Sequence, residues 1–468
     1  MTLPFAALLT LMALAPLFFA TWWGRHYAKV VFGLALLPLA YYWFGLRAGG
    51  RVSQAGFDYV RFIILIGSLF VVSGGIHITV KGEATPFANV AFLLIGAIVS
   101  NVLGTTGASM LLIRPWLRMN KYRVTGHHVI FFIFIVSNVG GCLTPIGDPP
   151  LYLGYLKGIP FWWVTEHCWP IWALGLGILL AMFYVVDRRN YLRAPARVRE
   201  HLAEPADQWR VAGLWNLPFL GAILGAAFIE QPPFLRELIM TAAAAGSYVL
   251  TSQGVQGVHQ ANDFNFQPIK EVAILFAGIF ATMMPALDWL QANATQMGAP
   301  TPGLFYWGSG TLSSVLDNAP TYLTFFSAVN GSLIDHDVIG QVQHLIQTGS
   351  FFSPPLTGPH ATQIRETLAA LQKYHGAKLA SGTVGTNEIA ICFLLGNAAL
   401  SKFILAISAG SVFFGANTYI GNGPNFMVKA IADQQKVHTP GFLGYVGKYT
   451  VPFMLPMLLI VWWIFFRK

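Results

Sequence analysis

Charged residues are scarce in this sequence. Asp, Glu, Lys and Arg make up 10% of its 468 residues, whereas soluble domains contain roughly 25%. Hydrophobic residues make up 55% and fall in long runs. A soluble chain of this length would divide into about three domains, but this composition predicts a single polytopic membrane domain.

Cysteine is also rare, and several catalytic motifs are missing. The three cysteines, Cys142, Cys168 and Cys392, form no CxxC pair, which argues against a disulfide framework or a Cys-ligated metal site. HExxH, GxSxG and Walker motifs are absent, and the GTTGAS stretch lacks the lysine of a phosphate loop. A membrane enzyme would need acid, base and metal ligands clustered near the interface, and no such cluster is seen. We therefore expect a non-enzymatic protein without a cofactor, driven by an ion gradient.

Basic residues concentrate in a few loops and account for the net charge of +9. Residues 114–123 and 187–210 are rich in Lys and Arg, and such loops face the cytoplasm in membrane proteins. This placement explains the charge without nucleic-acid binding. The polar insertion at 330–388 is then predicted to be external, with an amphipathic helix inside it.

The apolar runs predict about ten transmembrane helices, since a crossing needs roughly 20 residues. The predicted spans are 3–23, 27–46, 58–80, 126–154, 160–186, 212–230, 234–251, 268–291, 401–431 and 440–466. Two further segments, 86–117 and 303–329, carry polar centres between short apolar arms. Non-helical backbone at membrane depth is tolerated where protein buries it, so both are predicted to be re-entrant hairpins.

The chain contains an internal repeat. TPIGDPP (144–150) matches TYIGNGP (418–424), and SNVLGTTG (100–107) is similar to LDNAPTYL (316–323), with Asn101 opposite Asn318. Five predicted spans, an odd number, precede the second half, so the repeat is predicted to be inverted. We expect a first repeat at 1–186, a basic cytoplasmic linker at 187–211 and a second repeat at 212–468. Inverted repeats with interrupted helices are typical of secondary transporters that bind their substrate at the midplane.

The interrupted helices, 126–154 and 401–431, are the predicted site. Unwinding frees carbonyls, and nearby hydroxyl and amide oxygens are hard ligands that suit Na⁺. Carboxylates inside a membrane are costly and mark function, although Asp148 and Asp317 could also act as helix N-caps. The candidate ion- or substrate-binding residues are Asp317, Asn318, Thr321, Asp148, Asn101, Thr105, Thr106, Asn138, Thr144, Asn417, Thr418 and Asn422. Na⁺ itself is assigned to Asn101, Thr144, Asp148, Asp317, Asn318 and Asn422. His127 and His128 follow a basic loop and are expected at the interface.

Five stretches together resemble the ion transporter superfamily of citrate, dicarboxylate and arsenite carriers and sodium:proton antiporters. They are GTTGASMLLIRP, SNVGGCLTPIGDPPLYLG, PIKEVAILFAGIF, LDNAPTYLTFF and FFGANTYIGNGPNFMVKAI. The chain looks most like a bacterial group of sodium:proton antiporters and citrate transporters. The resemblance implies an elevator-type transporter in the bacterial inner membrane, often a homodimer.

Two functions follow from these observations. The carboxylate branch of the superfamily has Ser-Asn-Thr at both hairpin tips, whereas this sequence has Ser100-Asn101-Val102 and Asp317-Asn318-Ala319. An acidic tip attracts a cation or proton, which favours a sodium:proton antiporter with Asp317 as the main carrier and Asp148 beside it. The alternative is a Na⁺- or H⁺-coupled carrier of citrate, a dicarboxylate or arsenite. Its signature would be an electropositive site, and no Arg lies in the four motifs at 100–107, 144–150, 316–323 and 418–424.

Overall fold

The computed structural model describes residues 1–79, 85–193, 210–229, 232–253, 257–293, 300–349 and 358–467. Within these ranges the protein is all-α, apart from a two-stranded antiparallel ribbon of β1 (His77–Thr79) and β2 (Arg210–Ala212). The ribbon joins the end of the third helix to the segment after the basic linker. Both of its strands therefore lie at one end of the molecule.

The described part of the first half contains seven α-helices. They are α1 (Leu3–Phe18), α2 (Ala20–Ala40, continued as π-helix by Tyr41–Gly45), α3 (Gly49–Gly74), α4 (Pro86–Met119), α5 (Gly126–Ile135), α6 (Pro149–Leu156) and α7 (Phe161–Arg193). The second half begins with α8 (Leu217–Ala226), α9 (Leu235–Gln253), α10 (Val258–Ala261) and α11 (Gln267–Asn293).

The remaining helices complete the second half. They are α12 (Pro302–Ser313), α13 (Asn318–Leu333), α14 (His336–Gln347), α15 (Ala361–Ala380), α16 (Thr386–Gly396), α17 (Ala398–Phe414), α18 (Gly423–Gln434), α19 (Phe442–Tyr445) and α20 (Leu455–Val461). Residues Val446–Met454 and Trp462–Phe466 are π-helical and make the C-terminal segment one continuous helical rod.

The helix α4 is folded back on itself at Gly104. A straight helix of 34 residues would be about 51 Å long, yet the side chains of Asn89 and Asn120 near its two ends exchange hydrogen bonds of 2.8 and 3.0 Å. Gly104 makes the bend at a φ of 72°, a region that glycine enters without steric cost. The arms 86–103 and 105–119 therefore form a helical hairpin, which we call hairpin 1.

The helices α12 and α13 form a second helical hairpin, which we call hairpin 2. Its arms pack through an edge-on contact of Phe305 with Phe325, whose ring centroids lie 5.8 Å apart. Asp317 ends the turn and caps α13, accepting a hydrogen bond from the backbone N–H of Ala319 at 3.0 Å. Both hairpins place a short non-helical tip between two apolar arms.

Two helices are interrupted where the sequence predicts. The break between α5 and α6 ends at Asp148, whose extended backbone leads into Pro149 at the first position of α6. The break between α17 and α18 ends in the same way at Asn422. Residues 129–135 of α5 are completely buried, so this broken helix runs through the middle of the protein.

The packing of the two halves is reciprocal. The helix α2 packs on α11 while α9 packs on α3, and α3 contacts α11 directly through stacked rings of Phe62 and Phe276, 4.6 Å apart. In the same way hairpin 1 packs on α18 while α13 of hairpin 2 packs on α6. In each case a helix of one half packs against the other half, and the corresponding helices pack in the same way.

The helix count differs from the ten predicted spans. Seven described helices are long and apolar enough to cross a membrane, and one of these is α4, which folds back. The predicted span 212–230 becomes a 3₁₀ turn at Leu214–Asn216 followed by the ten residues of α8. Gly213, in a left-handed conformation, precedes the turn and keeps the helix from starting earlier. The two predicted broken spans divide into shorter helices, since their polar centres do not continue the helix.

Two predicted boundaries also shift. The first residues of the basic linker, up to Arg193, continue α7, and Asp187 within this part of the helix is buried in an ion pair with Arg123. Positions 194–209 lie outside the described residues. In the insertion 330–388, hairpin 2 extends to Leu333, and α14 and α15 follow. The next helix, α16, starts inside the insertion and runs past it to Gly396, with residues 391–395 buried.

Candidate functional site

Asp148 is the centre of a buried polar site. Its carboxylate accepts hydrogen bonds from Thr105 Oγ1 at 2.7 Å, Asn318 Nδ2 at 2.6 Å and Asn422 Nδ2 at 3.2 Å. Only 1% of Asp148 is exposed. The three donors come from hairpin 1, hairpin 2 and the break before α18, so one carboxylate joins both halves of the chain. A buried carboxylate requires such partners, since burial without them is costly.

The hydrogen bonds around the two breaks show which positions are equivalent. Thr144 Oγ1 donates to the carbonyl of Asn101 at 2.6 Å, and Thr418 Oγ1 donates to the carbonyl of Ser314 at 2.5 Å. Asn101 therefore corresponds to Ser314. The sequence alignment that set Asn101 opposite Asn318 is wrong by four residues, because hairpin 2 lacks a clear motif before its tip.

In the corrected register Thr105 corresponds to Asn318, and both donate to Asp148. Sequence analysis did not identify Ser314. The only signal in the sequence was the matched pair of threonines, Thr144 and Thr418, since each donates to a carbonyl at the equivalent position of a hairpin. Asn101 has a structural role here, since its amide binds the carbonyl of Gly140 at 2.7 Å and the N–H of Leu143 at 2.9 Å.

Amide side chains connect the two breaks. Asn138 donates to Asn425 Oδ1 at 2.7 Å and accepts from Asn422 Nδ2 at 3.1 Å. Asn425, which is fully buried, also donates to the carbonyls of Gly415 and Thr418. This chain of amides holds the two unwound segments against each other next to Asp148.

Two buried amide oxygens in this region have no hydrogen-bond partner. They are Oδ1 of Asn318, beside Asp148, and Oδ1 of Asn417, whose Nδ2 donates to Ser314 Oγ at 2.8 Å. An unpaired buried acceptor costs free energy, and an oxygen is the ligand that a hard cation prefers. The region therefore contains one carboxylate and two unpaired amide oxygens, which are the oxygen types that a hard cation binds.

Asp317 and Thr321 lie at the edge of this site. Asp317 is partly buried and caps α13, while Thr321 Oγ1 donates to the carbonyl of Asp317 at 3.0 Å. Asp317 also lines a small cavity of about 40 Å³ together with Asn422 and Thr106. A second cavity of about 30 Å³ lies against Gly104, Thr105 and Thr106 at the tip of hairpin 1. Each has room for a water molecule.

The sequence candidates thus fall into two groups. Thr105, Asn318, Asn422 and Asp148 meet directly, and Asn138 joins them through Asn422. The others support the backbone or line the cavities: Asn101, Thr106, Thr144, Asp317, Thr321, Asn417 and Thr418.

A second polar cluster fastens the base of hairpin 1. The carboxylate of Asp187 accepts hydrogen bonds from Arg123 and from Asn89 Nδ2, the latter at 2.9 Å. It also lies 3.1 Å from His128 Nε2. His127 and His128 are buried inside the protein here, and their position at the membrane interface stays a prediction. Their ring nitrogens and the Asp187 carboxylate are close enough to hold a metal ion. Arg123 and Asn89 already use both carboxylate oxygens, so the cluster is best described as an ion-paired clamp.

Comparison with known proteins identifies the family. Residues 1–466 match the model of a family described as "Putative citrate transport". No curated protein matches the chain. The family and the apolar helices make this a multi-pass membrane protein of the transporter class. Because the match extends over nearly the whole chain, the protein belongs to this citrate-transport family.

Proposed function

We propose that the protein is a sodium:proton antiporter and that Asp148 is the group that binds Na⁺ and H⁺ in turn. The observation that carries the proposal is the convergence of Thr105, Asn318 and Asn422 on one buried carboxylate. Only the ionised carboxylate binds Na⁺ well, so the two cations compete for it. Competition for one site becomes exchange when the site opens alternately to the two sides of the membrane.

The proposed transport cycle uses the two halves as an inverted repeat. Hairpins 1 and 2 are re-entrant, and together with the two broken helices they form the mobile unit of an elevator-type carrier. The helices α1–α3, α8, α9 and α11 form the scaffold. The repeats are assigned to residues 1–186 and 212–468 with the basic linker between them, and a homodimer in a bacterial inner membrane fits this arrangement. Asp317 supplies a second negative charge on the route to Asp148.

A second candidate is a Na⁺- or H⁺-coupled carrier of citrate, a dicarboxylate or arsenite. The description of the family favours citrate. In that case Asp148 binds the coupling ion and the organic anion binds nearby. The same carboxylate then serves both candidates, and they differ in whether an anion crosses with the cation.

Everted membrane vesicles with an imposed pH gradient test the proposal. We expect added Na⁺ or Li⁺ to dissipate the gradient in vesicles that contain the protein, with no effect of citrate or arsenite. Vesicles with an Asp148→Asn variant are the matched control. Movement of labelled citrate without Na⁺-driven proton flux would replace the antiporter by the second candidate.

A further inference from the structure

Exposed cations surround the ion-paired clamp at the base of hairpin 1. They lie on two neighbouring segments, the end of hairpin 1 with the loop after it and the last turns of α7. We call them the basic patch and define it by five residues: Arg118, Lys121, Arg188, Arg189 and Arg193. Both segments belong to the loops that the sequence predicts to be cytoplasmic.

The clamp holds the two segments of the basic patch together. Arg123, two residues after Lys121, pairs with the buried Asp187, which directly precedes Arg188. The backbone carbonyl of Arg123 also accepts a hydrogen bond from Asn190 Nδ2 at 3.0 Å. The last turns of α7 therefore direct Asp187 and Asn190 toward hairpin 1 and leave the arginines between and beyond them exposed. As a result, cations from two segments collect at one end of the molecule.

The cations of the basic patch have no counter-charge in the part of the chain that the structure describes. None of the five forms an ion pair there. Two carboxylates that approach the same end of the molecule are already paired, Asp187 with Arg123 and Asp263 with Arg114. A surface with positive charges of this kind attracts anions that carry their charge at fixed positions.

The length of α7 places the basic patch at the level of the lipid headgroups. The helix has 33 residues and is therefore about 50 Å long, whereas the hydrocarbon core is about 30 Å thick. Trp162 and Tyr184, both exposed near the two ends of this helix, are residue types that mark the two membrane interfaces. Arg188 and Arg189 then lie about 6–8 Å beyond Tyr184, at the depth of the phosphate groups.

We infer that the basic patch binds the headgroup of an anionic phospholipid. Guanidinium groups bind phosphate oxygens through paired N–H donors, and clustered cations beside a spanning helix attract anionic lipids. The bilayer supplies phosphates at the height of Arg188 and Arg189, which favours a lipid over a soluble polyanion. A bound headgroup also reduces the repulsion between the cations that the clamp brings together, so it stabilises the base of hairpin 1. The site is independent of the proposed ion exchange.

Thermal melting of the purified full-length protein in uncharged detergent tests the inference. Phosphatidylglycerol and phosphatidylcholine with the same acyl chains are titrated, and the concentration that gives half of the rise in melting temperature measures the affinity. We expect phosphatidylglycerol to bind at least about tenfold more tightly than phosphatidylcholine, and added salt to weaken its binding. Equal affinities for the two lipids would overturn the inference.

Soluble probes separate a lipid from other anions. Glycerophosphoglycerol carries the same headgroup phosphate without acyl chains, and a short oligoribonucleotide carries several phosphates. We expect both to bind at least about tenfold more weakly than phosphatidylglycerol, because neither is held at the membrane surface. If glycerophosphoglycerol binds as tightly as the lipid, the patch is a site for free phosphate esters. If the oligoribonucleotide does, the patch is a nucleic-acid surface, and either result would replace the lipid.

Two matched double variants locate the site. Arg188→Gln with Arg189→Gln leaves the clamp intact and should weaken phosphatidylglycerol binding about fivefold for each cation removed. Arg25→Gln with Lys29→Gln removes the same charge from the exposed surface of α2 and should change the affinity less than twofold. Both variants should melt like the unmodified protein in lipid-free detergent. Unchanged affinity in the first variant, or an equal loss in both, would contradict a site at the basic patch.

Discussion

Asn318 Nδ2 donates a hydrogen bond of 2.6 Å to Asp148 Oδ2, across 170 positions of the sequence. Asp148 occupies the N-cap position of α6 in the first half without a side-chain capping bond, and Asn318 begins α13 in the second half. The contact therefore joins a broken helix of the first half of the chain to a hairpin of the second half. Any movement that separates the two elements at this point must change what the carboxylate binds.

Replacing Asp148 by Asn removes the charge but keeps the shape of the side chain. We expect Na⁺-dependent proton flux in everted vesicles to fall to the background of empty membranes, because a neutral amide neither binds Na⁺ strongly nor exchanges a proton. Asp335→Asn, at the N-cap of α14, is the control and should retain full flux. Full flux in Asp148→Asn would exclude this carboxylate as the ion carrier.

Asp317 has a capping role that can be separated from its charge. Asn caps helices about as well as Asp, and Ala costs about 1 kcal/mol. Asp317→Asn should therefore keep the melting temperature and raise the Na⁺ concentration needed for half-maximal flux, whereas Asp317→Ala should lower both stability and flux. An unchanged Na⁺ dependence in Asp317→Asn would assign this residue to capping alone.

The pseudo-equivalence of Asp148 and Asn422 can be tested by an exchange. Their Oδ1 and Nδ2 atoms lie 3.2 Å apart, and both residues precede the first turn of a helix after a break. We expect the double variant Asp148→Asn with Asn422→Asp to recover part of the flux that Asp148→Asn loses. A double variant as inactive as the single one would mean that the two positions do not serve one site.

The ion-paired clamp at the base of hairpin 1 should contribute strongly to stability. Asp187→Asn leaves the buried Arg123 guanidinium without a counter-charge, and breaking a buried pair in this way costs about 3–5 kcal/mol. Lys429→Gln, which breaks an i,i+4 pair with Asp433, should cost less than about 1 kcal/mol. Thermal melting in detergent compares the two variants, and equal melting temperatures would contradict the role of the clamp.

Cysteine labelling tests the predicted sidedness. The native Cys142, Cys168 and Cys392 are buried, so they should react little with a membrane-impermeant maleimide. Ala206→Cys in the basic linker should label only from the cytoplasmic side, and Ser381→Cys, after α15, only from outside. Labelling of both positions from one side would mean that the chain crosses the membrane an odd number of extra times between them.

The sequence predicted the elements whose chemistry is local. Low charge and long apolar runs indicate a membrane protein, because burial in lipid requires them. The breaks at Asp148 and Asn422 were located correctly, since an acidic or amide residue before proline or Gly-Pro ends one helix and begins another. The hairpin 1 bend at Gly104 lies within the predicted polar centre of residues 86–117.

Contacts between distant segments were decided only by the tertiary structure. Local patterns carry no information on which side chains meet across 170 residues. Only the hydrogen bonds to Asp148 therefore showed that Asn318 corresponds to Thr105 and not to Asn101. For the same reason Asn138 and Asn425, which lie 287 positions apart, were not recognised as partners until the two breaks packed together. The sequence sets where helices can break, because that depends on each segment's own residues. The three-dimensional packing decides which charged and amide side chains meet at the breaks. Only in the packed interior are they close together and in a low dielectric, so only there do they act as one site.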